Sequence, residues 1–271
     1  MGASDIPRGA SMCRFARKTL FAVLLAGVAS PALAADYIEP PIEVVPEVVG
    51  GWYIRGHIGM SNQFFDGLES ELFDTATSHG WYDDGGFSSA PIFGGGVGYQ
   101  FNDSLRGDIT VEWRGKSDFY ALDWLDAIDP PVEITTNEYT AKKSELVFMA
   151  NGYWDFASFS GITPYVGAGI GASYNTISHF RDTNIINQGG GYADDNSEWN
   201  LAWALHAGLG FQATERMTID LGYSFMSLGD ASTGTLHNDD GESFPEGANE
   251  SIKFNDIYSH DFKLGVRYSL N

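Results

Sequence analysis

The chain has 271 residues, is 43% hydrophobic and 14% aromatic, carries 33 Gly, 10 Pro and a single Cys, and has a formal net charge of −21 at pH 7. So acidic a chain excludes nucleic acid as a partner, and outside the N-terminal region no run of about eighteen apolar residues offers a membrane-spanning helix. The length suits one β-sandwich or β-barrel of ordinary size.

The N-terminus reads as a secretory signal, residues 1–34. Arg14, Arg17 and Lys18 precede the apolar run TLFAVLLAGVAS, and Pro31 then leads into Ala32, Leu33 and Ala34, a small-residue processing site. Met12 is an alternative start, and cleavage after Ala34 or Ala35 leaves a mature chain beginning near Asp36. Cys13 lies before the apolar run, so the mature chain has no cysteine and is exported without disulfides. Residues 35–50, within ADYIEPPIEVVPEVVGG, are rich in Pro and acids and are expected to form an extended arm or plain linker.

From Gly51 to Asn271 one pattern recurs eight times. In LAWALHAGLGFQAT, Leu201, Trp203, Leu205, Ala207, Leu209 and Phe211 alternate with Ala202, Ala204, His206, Gly208 and Gly210. A repeat of two is a strand's period, not a helix's. The other seven segments are GWYIRGHIGMSNQ, APIFGGGVGYQFN, LRGDITVEWRGKSD, KSELVFMANGYWDF, TPYVGAGIGASYNT, MTIDLGYSFMSLG and YSHDFKLGVRYSLN. Their connections alternate: short at 102–104, 157–161 and 214–216, and each over twenty residues at 64–89, 119–142, 178–199 and 230–257. The four long connections hold 22 Asp or Glu against three Lys or Arg.

The parity opposite the large apolar residues carries Arg55, Arg106, Arg114, Lys263 and Arg267 with Asp108, Glu112, Glu145, Asp155, Asp220 and Asp261. A soluble sandwich would turn that face to water. A closed eight-stranded, antiparallel, up-and-down transmembrane barrel would turn it into the lumen, where near-balanced charges pair. Strict alternation of loop length, aromatics near strand ends and the charge balance favour the barrel, with the short turns and both termini on the periplasmic side and the long loops outside.

The signal segment, the ADYIEPP arm, GWYIRGHIGM and the closing DFKLGVRYSLN together resemble the small outer-membrane β-barrel proteins of alphaproteobacteria, the opacity-type porins and OmpA-like transmembrane barrels. The resemblance spans roughly Ala35 to Asn271. It implies an outer-membrane location, contact with outer-membrane lipids and lipopolysaccharide, and insertion by the barrel assembly machinery. It also implies a mainly surface-structural role, with haemin binding or host contact in some members. One departure is the end of the chain: Ser269, Leu270 and Asn271 follow Tyr268, where such barrels usually end in an aromatic residue.

Little in the sequence points to chemistry. A lipid A deacylase needs His and Ser together on the outer wall. His206 and His57 have the wrong parity, and His260, near Asp256 and Ser259, is the best of the rest. No metal-ligand spacing or phosphate loop is present, so no cofactor and no resident metal are expected, and the chain reads as a non-enzyme. Eight strands leave an interior that side chains fill, which makes a salt-bridged plug the expectation and a small cation-preferring porin the alternative. A further alternative is ligand or host binding through the loops. His79, His179 and His237, one to a loop, would be ligands for haemin, and the acidic loops would engage divalent cations.

Overall fold

The structure, a computed structural model, describes residues 50–70, 73, 78–126, 134–186, 189–239 and 251–270. The signal segment expected at 1–34, nearly all of the arm expected at 35–50, and most of NDDGESFPEGANE lie outside the described residues.

Eight long strands follow one another: β1 Gly51–Phe64, β2 Ala90–Gln100, β3 Leu105–Asp126, β4 Asn137–Asp155, β5 Ile162–Asn184, β6 Asn196–Gln212, β7 Met217–Ser232 and β8 Lys253–Ser269. Each pairs antiparallel with the next, and β8 returns to β1, from Ile54↔Tyr268 to Phe64↔Tyr258. The ring is therefore closed, and none of the eight presents an edge through its centre. Five short strands flank one end: Gly67–Glu69 on β8, Ser78–Phe87 and Ile134–Thr135 on β3, Gly190–Ala193 on β5, and Leu236–Asn238 on the Gly190–Ala193 strand.

The turns at the other end are built from local polar side chains. Asn102 Oδ1 accepts the amides of Ser104 and Leu105, both at 2.9 Å, and Thr214 Oγ1 accepts those of Arg216 and Met217. At the third turn Ser160 and Gly161 both adopt positive φ, 52° and 79°, a backbone that glycine accepts without strain.

The outer wall carries the large apolar parity. Trp52, Ile54, Ile58 and Met60 on β1 and Phe262, Leu264, Val266 and Tyr268 on β8 are all exposed, and their counterparts on the remaining strands are exposed or half-buried. Aromatic rings gather at both margins of this band: Trp52, Tyr99 and Phe101 at the short-turn end, and Phe64, Phe225, Tyr258, Tyr174 and Trp199 at the other. Apolar side chains outward and charges inward are the inverse of a soluble sandwich.

The strands run further than the alternation predicted. β3 and β5 have 22 and 23 residues, about twice what a tilted bilayer span needs. Much of what reads as long loops, including 119–126, 178–184 and 253–257, is strand. The register shifts explain why. The pairing slips between Arg114 and Ser117, between Thr140 and Lys142 opposite β5, and between Ser227 and Gly229. Each bulge inserts a residue and reverses parity beyond it. Trp113 faces outward below the first bulge, and Phe119 faces inward above it. Trp203 points outward on β6, whereas Phe180 on β5 points inward beyond His179, whose φ is 55°.

Candidate functional site

The interior has two storeys. The lower, towards the short turns, is charged. Arg106 Nε donates to both oxygens of Asp155 at 3.0 Å, and its guanidinium lies 3.9 Å from the ring centre of Tyr153 and 4.7 Å from that of Tyr165. Arg55 reaches Asp108 at 2.7 Å and the Tyr153 hydroxyl at 2.9 Å. Arg267 makes a fork to Asp220, at 2.7 and 3.0 Å.

Above these, Glu112 accepts from Lys263 at 2.6 Å, from Arg114 at 3.1 Å and has His57 Nε2 at 3.0 Å. Arg114 also donates to Asp261 at 2.6 Å and to the hydroxyls of Ser61 and Ser259. Lys143 pairs with Glu145 and donates to Gln63 Oε1 at 2.8 Å. His206 has Ser224 Oγ at 2.8 Å and Asn151 Oδ1 at 3.1 Å. A cavity beside Arg55, His57, Glu112, His206 and Lys263 measures about 20 Å³, room for about one water. Burying a charge costs several kcal/mol unless it is paired. Here each of the five cations and six acids singled out on the inward parity has an opposite charge within 4.0 Å.

The upper storey is apolar. Phe119, Ala141, Ile177, Phe180, Leu228, Phe254 and Ile257 are buried there, with Phe65 and Phe87 packed on them, while Met149 and Met226 line the cavity of the charged storey. Phe119 and Phe254 meet edge to face at 4.9 Å, a favoured aromatic geometry.

The outer mouth sits above this core. Asp123, fully buried, accepts the Tyr139 hydroxyl at 2.8 Å and the Asn137 amide at 2.9 Å, and has His79 Nε2 at 3.2 Å. His79 stacks on Phe73 at 4.4 Å. His237 takes a different carboxylate, Asp194, at 3.2 Å and stacks on Tyr192. His179 is exposed, and its amide donates to Asp195. The His79 and His237 rings are thus engaged with separate carboxylates, and His179 meets a third through its backbone amide alone. Asp182 is raised to about 7, first by burial and then by Asp123 and Asp239.

On the outer wall His260 Nδ1 meets the Tyr223 hydroxyl at 2.6 Å, between the rings of Phe64 and Phe225. Ser259 points the other way, into the lumen against Arg114, so this histidine does not activate that serine.

The model for the outer membrane protein beta-barrel domain matches residues 20–269. The chain belongs to this family. It is an outer-membrane barrel, seated in lipid by its apolar wall, with the short turns on the periplasmic side. An uncharacterized protein of Brucella abortus (strain 2308) is 29% identical over 93% of this chain and 98% of its own length. Outer membrane protein PagN of Salmonella typhimurium is 28% identical over 81% of this chain and 90% of its own. Among solved structures, Neisserial surface protein A aligns with 81% of this chain and 97% of its own, at 14% identity and a TM-score of 0.43.

Two groups in the barrel escaped the sequence reading. Lys143 shares the parity of Glu145 and Val147, and simple counting back along β4 finds it. Asp123 and Tyr139 do not yield to counting, because Asp123 lies beyond the parity reversal at Arg114–Ser117.

Proposed function

We propose that this barrel is a sealed surface protein whose role is structural and interfacial. It holds the outer membrane's lipids and lipopolysaccharide around a rigid wall and presents an acidic rim, open to divalent cations, to the exterior. The observation that carries this reading is the stacking of two different seals in one lumen. Lower charges neutralise one another, and an apolar plug above offers an ion no ligand. A non-catalytic role draws support from His260 and Ser259 facing opposite sides of the wall. The haemin alternative draws less support, because His79 and His237 are held by different carboxylates.

Conductance tests it. The refolded chain, inserted in a planar bilayer under a salt gradient, is expected to remain silent or flicker rarely. Steady cation-selective openings would make the protein a small porin, with Asp108, Glu112 and Asp261 as its filter.

A further inference from the structure

We infer that the cavity at the outer mouth, between Tyr139, Phe180, Asp182, Leu236, His237 and Ile252, is a binding site for a small primary amine with an apolar body. The cavity measures about 250 Å³, against about 20 Å³ for the space in the charged storey below. It is smaller than the roughly 300 Å³ that a drug-sized ligand needs. Its floor is the roof of the apolar core: Phe180, Leu236 and Ile252 are each at most 4% exposed. Tyr139 and Phe180 present stacked rings 6.0 Å apart. The Gly189–Gly191 wall brings no side chain into the space, and a Cβ on Gly190 would meet Asp239 Oδ2 at 2.8 Å.

Asp182 is the carboxylate among the lining residues, beside Asn137, Asn184, Asn238 and His237. Asp182 Oδ1 is shielded from solvent and has no hydrogen-bond donor among the described residues. Its acidic neighbours are matched: Asp123 by Tyr139, Asn137 and His79, Asp239 by Arg181 at 2.9 Å, and Asp194 by His237. Asp126 also has a lone oxygen but does not line the cavity. A buried acceptor without a donor is costly, and an ammonium supplies three donors. Tyr139 and Phe180 offer an ammonium aromatic faces, and the floor offers its carbon skeleton an apolar surface. A metal ion fits less well: among the described residues no group of three His, Cys, Asp or Glu is placed to hold one. The groups facing Asp182 are Asp123 from β3, Tyr139 from β4, and His237 and Asp239 from the Leu236–Asn238 strand and the residue after it. The proposal does not depend on whether the barrel conducts.

The test is calorimetric titration of the full chain, refolded in detergent micelles, with phenethylamine, 2-phenylethanol and calcium chloride. Phenethylamine is expected to bind and 2-phenylethanol to bind at least about tenfold more weakly, the difference one charge-assisted hydrogen bond makes. Amine affinity is expected to rise from pH 6 to pH 8 as the Asp182 carboxyl ionises. Asp182→Asn should weaken amine binding about tenfold, and Leu236→Trp, which fills the cavity, should abolish it, both judged on protein that still migrates as a folded barrel. No heat with phenethylamine, equal affinity for the alcohol, or an unchanged Asp182→Asn titration would overturn the proposal. Calcium binding that depends on Asp182 and excludes the amine would overturn it in favour of a metal site.

Discussion

Arg114 on β3 and Asp261 on β8 meet across the barrel interior at 2.6 Å with neither side chain exposed to solvent. The pair ties strands that are not neighbours in the sheet, since β1 and β2 lie between them. Arg114 is also the shared partner of Glu112. Arg114→Ala is therefore expected to leave the buried Asp261 with only the longer Lys263 contact at 3.6 Å and to destabilise the barrel by about 3–5 kcal/mol. The double substitution Arg114→Met with Asp261→Leu should recover most of that loss, because Glu112 keeps Lys263 and His57. Urea unfolding of protein refolded in micelles, followed by tryptophan fluorescence, measures both. A single substitution as stable as the wild type would show that the pair contributes nothing.

The two storeys make separable predictions about leak. Removing rings from the upper one, by Phe119→Ala with Phe254→Ala, should cost about 3–5 kcal/mol per ring and raise the frequency of brief openings in a planar bilayer. Neutralising the lower one alone, by Arg55→Met with Asp108→Leu, should leave the bilayer quiet, because the apolar plug still stands above it. Openings in the second variant and not in the first would assign the seal to the charges.

Asp182 sets a pH dependence at the rim. Its carboxyl is raised from 3.8 to about 7. Between these values the folded rim holds a proton that the unfolded chain has released, so the rim's stability falls as pH rises through that window and levels off above it. Hydrogen exchange of the amides in residues 180–186 and 189–193 should accordingly quicken from pH 4 to pH 7 beyond the intrinsic chemical dependence. Asp182→Asn should remove that excess. An excess of the same size in the variant would place its source elsewhere.

Glycine at the lumen wall is a matter of clearance. A Cβ at Gly208 would come within 2.5 Å of both the Tyr165 ring and the Leu221 carbonyl, whereas one at Gly152, on the outer wall, would meet nothing within 4 Å. Gly208→Val is expected to abolish the compact, heat-sensitive form on electrophoresis, and Gly152→Ala to leave it unchanged. If both variants refold, the tyrosine has room to turn aside.

The membrane band was legible because its chemistry has one rule. Lipid outside and a filled lumen inside force a strict period of two, and Ile54, Ile58, Leu264 and Val266 keep it without interruption. The upper storey hid for a physical reason. Ile109, Val111 and Trp113 are odd-numbered and face lipid; Phe119 and Ala121 are odd-numbered and face the core. The bulge between Arg114 and Ser117 reverses the wall while the apolar residues keep their parity. Read as a string, the alternation runs on; in space it has changed sides. The mouth was harder still, since Asp123, Tyr139 and Asp182 come from three strands and owe their proximity to bulges on two of them.

Closure of the ring also bears on how the chain folds. Pairing of each strand with the next brings together residues close in sequence, but Ile54 must find Tyr268 across nearly the whole barrel sequence. The β1–β8 pairing carries the largest loop-closure entropy of any in the sheet. Until it forms, β1 and β8 are two bare edges able to pair with another copy of the chain. The seam between them is thus the step at which insertion competes with aggregation, and an agent that shields β8 until β1 arrives would speed assembly without touching the finished barrel.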